Sequence, residues 1–187
     1  LFGPGGMGKT RLSLQAAAQL VEAFPHGVYF VPLAPLNASD QLVPAIAEAL
    51  KLTFYSSETP KTQLLNYLRE KTLLLVLDNF EHVSDGAPLA AEILAAAGGV
   101  KLLVTSRERL NLREEQVFNV EGLRLPAIIT EQNLEAFSAV RLFLHSARRT
   151  QHDFELTPQE GPCVARICRM VQGIPLCIEL AAGWLQA

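Results

Sequence analysis

At 187 residues, with 49% hydrophobic and 19% charged side chains, the chain can bury a substantial core as one globular unit, or one with a small second subdomain, and it is too apolar to be disordered. A formal net charge of −3 carries no basic footprint of the kind nucleic-acid binding requires, so this segment is not expected to touch DNA directly. No basic-then-apolar leader opens the chain and no apolar run reaches bilayer length, which predicts a cytoplasmic protein that does not enter a membrane. Its three cysteines, Cys163, Cys168 and Cys177, lack a C-x-x-C and read as reduced core residues.

The first motif comes almost at once. Gly3-Pro4-Gly5-Gly6-Met7-Gly8-Lys9-Thr10 has the G-x-x-x-x-G-K-[ST] spacing of a phosphate-binding loop. Gly3, Gly5, Gly6 and Gly8 keep Cβ atoms out of a nest of backbone N–H groups. The helix that follows turns its unpaired amides and positive dipole end on the same phosphates. In such a loop Lys9 reaches the β- and γ-phosphates of a nucleotide and Thr10 is a ligand to Mg²⁺, with Met7 and Arg11 completing the nucleotide contacts. The chain starts without Met and only two residues before the loop, whereas the strand feeding such a loop runs to about five residues. The expectation is therefore a fragment with a truncated N-terminal strand.

Leu12, Ala16, Leu20 and Phe24 recur at four-residue spacing with Ala17 and Val21 beside them, and predict a helix over 9–24 with a broad buried face, ended by Pro25. Residues 27–31 are β-branched and aromatic between Pro/Gly breakers, the pattern of a buried strand. Ser39 and Asp40 introduce a helix to Leu50, and Thr59-Pro60 caps a third with Leu64, Leu65 and Leu68 inward. Residues 72–77 are apolar on both faces, as in the middle of a helix-covered parallel sheet, and end in Asp78. A helix over 87–97 stops at Gly98-Gly99, an apolar strand over 100–104 ends in Thr105-Ser106-Arg107, and 116–120 reads as a short fifth strand. This alternation predicts a parallel α/β domain over 1–126. Only helices are expected in 127–187. Thr130 caps one presenting Phe137, Val140, Leu144 and Ala147; Thr157 and Glu160 form a capping box for the next; and Gly173 and Pro175 divide that helix from the last.

Ligands of open parallel sheets bind beyond the carboxyl ends of the strands. Asp78 is there placed to accept hydrogen bonds from Mg²⁺-bound water, although Asp-Asn is also an ordinary strand-end turn. Asn79 follows where related ATPases carry a second acid, and an amide is a poor general base. Glu81 is the substitute two residues on, or else a solvated turn residue. Arg107 can contact a γ-phosphate and so report ATP against ADP, its alternative being a surface salt bridge. Pro175 either lies on an adenine ring or simply breaks two helices. His26, His82, His145 and His152 have no metal-ligand spacing, and no nucleophile–base constellation is visible. A guanine-reading Asn-Lys-x-Asp element is absent, which favours ATP/ADP over guanine nucleotides.

Gly-Pro-Gly-Gly-Met-Gly-Lys-Thr, Leu-Val-Leu-Asp-Asn, Val-Thr-Ser-Arg-Glu and Gly-Ile-Pro-Leu, in that order, resemble the NB-ARC ATPases of the STAND class. Leu-Asp-Asn-Phe-Glu-His-Val with Thr-Ser-Arg-Glu-Arg-Leu resembles most the branch in large bacterial transcription regulators of the LuxR-type and antibiotic-regulator kinds. The resemblance implies a sheet order of 5-1-4-3-2 and a small helical subdomain closing over the nucleotide. It also implies a switch between a closed ADP form and an oligomerising ATP form. Residue by residue it makes Lys9 and Thr10 phosphate and Mg²⁺ contacts, Asp78 the Walker B acid, Arg107 the first sensor and Pro175 the adenine contact. Asn79 departs from the paired acids of the wider class, which implies slow hydrolysis or none. An ADP-holding scaffold and a metabolic kinase are the other readings of the same loop.

Overall fold

The structure is a computed structural model that describes residues 1–55, 58–127 and 133–184. It divides into two compact units: Leu1–Gly3 with Lys9–Asn119, and Pro4–Gly8 with the chain from Val120 onward.

The first unit is built on a parallel sheet of β1 (Val28–Pro32), β2 (Leu73–Asp78) and β3 (Val100–Val104), in that order. Residue 28 lies opposite 74 and residue 73 opposite 100. β2, paired on both sides, is buried at every residue, as its unbroken apolar run requires. Its two faces meet different helices. Leu74 and Val76 pack with Ala17 of α1 (Lys9–Gln19), while Leu73, Leu75 and Leu77 enter the main core with Leu42 and Ile46 of α2 (Leu42–Leu50), Leu64 and Leu68 of α3 (Pro60–Leu68) and Ile93 of α4 (Ala87–Ala96). The Thr59 cap forms as expected, its hydroxyl accepting the Thr62 N–H at 3.2 Å ahead of Pro60.

Four expectations are corrected here. The inward face of α1 is Lys9, Ser13 and Ala17, and Leu12 and Leu20 are exposed. A helix entered through Lys9 takes its phase from that residue, so the apolar stripe is turned outward. α1 also ends at Gln19, with a 3-10 turn over Val21–Ala23. β1 is not a buried strand, since it pairs with β2 alone and is buried only at Val31. No strand forms over 116–120. Phe2 makes single parallel bridges to Ser106 and Asn119, and no ladder extends from either.

The second unit contains α5 (Ser138–Thr150), α6 (Gly161–Met170) and α7 (Pro175–Gly183). Ala139, Val140, Phe143, Leu144 and Ala147 give α5 one continuous buried face, which meets Ala165, Cys168, Ile178 and Ala182. Thr157 and Glu160 form the reciprocal box ahead of α6: the Glu160 N–H reaches Thr157 Oγ1 at 3.3 Å and the Thr157 N–H reaches Glu160 Oε2 at 3.1 Å. The Thr157 hydroxyl holds the Glu160 carboxyl below its usual range. Cys168 is buried, which pushes its thiol up to about 11. Cys163 lies on the opposite side of α6 and is exposed, so it is not a core residue as expected from composition. The Thr130 cap lies outside the described residues. Among the described residues no helix is long and apolar enough to cross a membrane.

Candidate functional site

The first unit gathers its buried polar groups at the carboxyl end of β2. Parallel pairing continues the register of Leu77 with Val104, so Asp78 and Thr105 emerge side by side. Asp78 is 5% exposed and Thr105 1%. Thr105 Oγ1 donates to Asp78 Oδ1 at 2.6 Å and accepts the Asn79 N–H at 2.9 Å. Thr10, from the first turn of α1, donates its hydroxyl to the same carboxylate, 2.8 Å from Oδ1 and 3.1 Å from Oδ2. Each threonine has one hydroxyl proton, and both protons are spent on Asp78, so the Thr10 oxygen keeps lone pairs for a cation.

Lys9 is 8% exposed, and its ammonium donates to Gly3 O at 2.7 Å. Burial pushes its pKa below the ordinary lysine value of 10.5, and Arg107 adds to the shift; the charges of Glu81 and Asp78 oppose it. Glu81 sits on the 3-10 segment Phe80–Gly86 that follows Asn79, which takes a left-handed conformation at φ 61° and ψ 48°. Arg107 Nε lies 3.2 Å from Glu81 Oε1, Arg107 being 62% exposed and Glu81 12%. Neither Glu81 oxygen reaches solvent or has a hydrogen-bond partner, so the contact with Arg107 is one of charge alone.

Lys9, Thr10, Asp78, Glu81 and Arg107 therefore share one site within the first unit. Asn79 contributes its main-chain turn to that site, and Arg11 is exposed on α1. The loop residues Pro4–Gly8 belong to the second unit, where the Leu176 N–H donates to Gly6 O at 3.2 Å. Gly6 has φ +78°, and a Cβ there would stand 3.0 Å from Leu176 Cβ. Gly3 is buried, Gly5 exposed and Met7 half-buried. Pro175 is half-buried at the start of α7, after Gly173 in a left-handed turn at φ +70°. Thr105 is the residue that sequence reasoning passed over. Its signal was present: a Thr ending the strand next to an Asp-ending strand is brought against that Asp by parallel register. His26 is structural, its Nδ1 accepting the Thr72 N–H at 2.8 Å.

A parallel sheet covered by helices on both faces, with a glycine-rich loop running into α1 and Lys9, Thr10 and Asp78 gathered at the end of β2, defines an AAA-type P-loop ATPase domain. The chain belongs to the AAA domain family, which matches residues 1–114. It is 35% identical over 184 residues to the Mycobacterium tuberculosis protein named "Putative HTH-type transcriptional regulator Rv0890c", covering 98% of this chain and 20% of that one. It is 33% identical to "Uncharacterized protein Rv0894" of the same species, covering 98% of this chain and 44% of that one. The chain thus spans a fifth to under half the length of these relatives. Among solved structures it is similar to Cdc6p from Pyrobaculum aerophilum, with a TM-score of 0.58 at 16% identity over 97% of this chain and 52% of that one. It is likewise similar to the Aeropyrum pernix ORC2 protein, solved as ADPNP–ADP complexes, with a TM-score of 0.54 at 11% identity over 98% of this chain and 59% of that one. At such identities these two likenesses are of fold.

Proposed function

We propose that this chain is the ATP-binding, slowly hydrolysing switch module of a multidomain, signal-transducing transcription regulator of the NB-ARC/STAND kind. The observation that carries the reading is the cluster of Thr10, Asp78 and Thr105 beside buried Lys9. It supplies a cationic amine, a hydroxyl oxygen with lone pairs to spare and a positioned carboxylate, the donor set that a magnesium-bound triphosphate requires. In this reading Mg-ATP supplies the phosphoanhydride to be cleaved by water. Lys9 would neutralise phosphate charge, Thr10 would be the ligand to Mg²⁺, and Asp78 would act on the cation through water. Glu81 is the carboxylate that would orient the attacking water in place of Asn79 once its oxygens are opened to solvent, and Arg107 would read the terminal phosphate.

The name of the mycobacterial relative supports a place in a transcription regulator, and the much greater length of that relative supports partner domains in the same chain. The finer organisation belongs to the same proposal. Residues 1–126 form the nucleotide-binding part and 127–187 the helical part that closes over the nucleotide through Pro175. The protein is cytoplasmic, oligomerises in the ATP state and leaves DNA contact to other domains. Titrating Mg-ATP into the wild type and Lys9→Ala tests the reading: tight binding lost in the variant supports it, and equal or absent binding in both sinks it. A second reading, a scaffold that holds ADP and turns nothing over, is favoured by Asn79 in place of the second acid. Phosphate release that disappears in Asp78→Ala excludes it.

A further inference from the structure

Glu81 is placed at odds with an ordinary salt bridge. Its two carboxylate oxygens are shut off from water and receive no hydrogen bond, while its partner Arg107 is largely in solvent and touches Oε1 at 3.2 Å by charge alone. A buried carboxylate in that condition needs its cation, since losing it would leave an uncompensated charge. An exposed arginine without a hydrogen bond to its partner is by contrast easily withdrawn. Lys9, the other cation that feels Glu81, is committed to Gly3 O. Arg107 is therefore contested between Glu81 and any anion arriving in front of Lys9.

Resting on the function just proposed, we infer that Glu81 is a specificity-determining residue that sets how strongly the site prefers ATP over ADP. A γ-phosphate gains Arg107 only by taking it from Glu81, and it then faces the carboxylate left behind. Both effects penalise ATP, and neither touches ADP, which has no phosphate at that position. The acid thus biases the domain toward its diphosphate form. Where one interaction opposes another in this way, the coupling commonly amounts to about fivefold or more in affinity, as for two linked binding events.

The test measures the affinities of Mg-ADP and of a non-hydrolysable Mg-ATP analogue for the wild type, Glu81→Gln, Arg107→Ala and the double variant. Glu81→Gln is expected to tighten the triphosphate analogue by about fivefold or more with ADP unchanged. Arg107→Ala weakens the analogue alone, and in its background Glu81→Gln has a smaller effect than in the wild type. Unchanged ADP affinity also shows that each variant is folded. The inference is overturned if Glu81→Gln moves both nucleotides equally, as a merely structural residue would, or leaves their ratio as it was. Wild-type protein that binds neither nucleotide, or binds both independently of Lys9, overturns the proposed function and this inference with it. A wild type that binds through Lys9 with an unmoved ratio in Glu81→Gln removes the inference alone.

Discussion

Asp78 is held by hydroxyl groups rather than by a cation, and that suits the metal-facing role proposed for it. Two neutral donors orient it without cancelling its charge. Thr105→Val keeps the shape of the side chain and removes the 2.6 Å hydrogen bond. It should destabilise the first unit by about 1–3 kcal/mol, the cost of leaving a buried polar group short of a partner. Denaturant unfolding checks this, and Thr105→Ser should recover most of the loss. Lys9 gives a pH dependence. Its native pKa lies below the ordinary 10.5, so protonated Lys9 is disfavoured by folding. Stability should accordingly rise as pH climbs through the native pKa toward the unfolded value. If nucleotide binds as proposed, its affinity needs the charged amine and should run the other way, falling at a lower pH than an ordinary lysine would impose. Lys9→Arg, always charged, should abolish the alkaline fall even if its affinity at neutral pH is poorer; calorimetric titration across the alkaline range reads this directly.

The elements follow from local signals wherever one neighbour decides them. β2 reads as central because Leu73 to Leu77 are all apolar ahead of Asp78, and Thr59-Pro60 and Thr157–Glu160 mark helix starts through hydrogen bonds made within a few residues. The phase of α1 is different. Periodicity sees Leu12, Ala16 and Leu20, but the helix turns on Lys9, and the apolar stripe loses to the residue that must face the site. The loop ahead of α1 can be probed by comparing two glycines. Gly6 and Gly8 both lie at positive φ, 78° and 82°, yet only Gly6 has Leu176 at 3.0 Å from the position of a Cβ, while Gly8 has nothing within 4 Å. Each Ala substitution should cost about 1–2 kcal/mol for the backbone. Gly6→Ala should cost more, and the excess, read as a larger fall in unfolding midpoint, measures the packing of the loop on Leu176.

Among the described residues the buried side chains fall into three clusters, one on each face of β2 and one around Phe143. Phe143 is fully buried, and Phe143→Ala should cost about 3–5 kcal/mol. The loss should appear as faster amide exchange in α5, α6 and α7, with the amides of β2 still protected. Equal loss of protection in both regions would show one cooperative core instead.

The sequence by itself determined the phosphate loop, the strand–helix alternation as far as β3 at Val100–Val104, the central place of β2 and the helices found among the described residues beyond 133. These depend on spacing along the chain, which is visible without coordinates. It also named Lys9, Thr10, Asp78, Glu81 and Arg107 individually. Only the tertiary structure decided that Thr105 shares a carboxylate with Thr10 across 95 residues of chain, because parallel register brings them to one point. It alone decided that 116–120 forms no ladder, since pairing depends on the neighbouring strand. And it alone set Glu81 against Arg107, the ion pair on which the proposed bias toward ADP turns: charge is legible in a sequence, but which charge faces which is a matter of the fold.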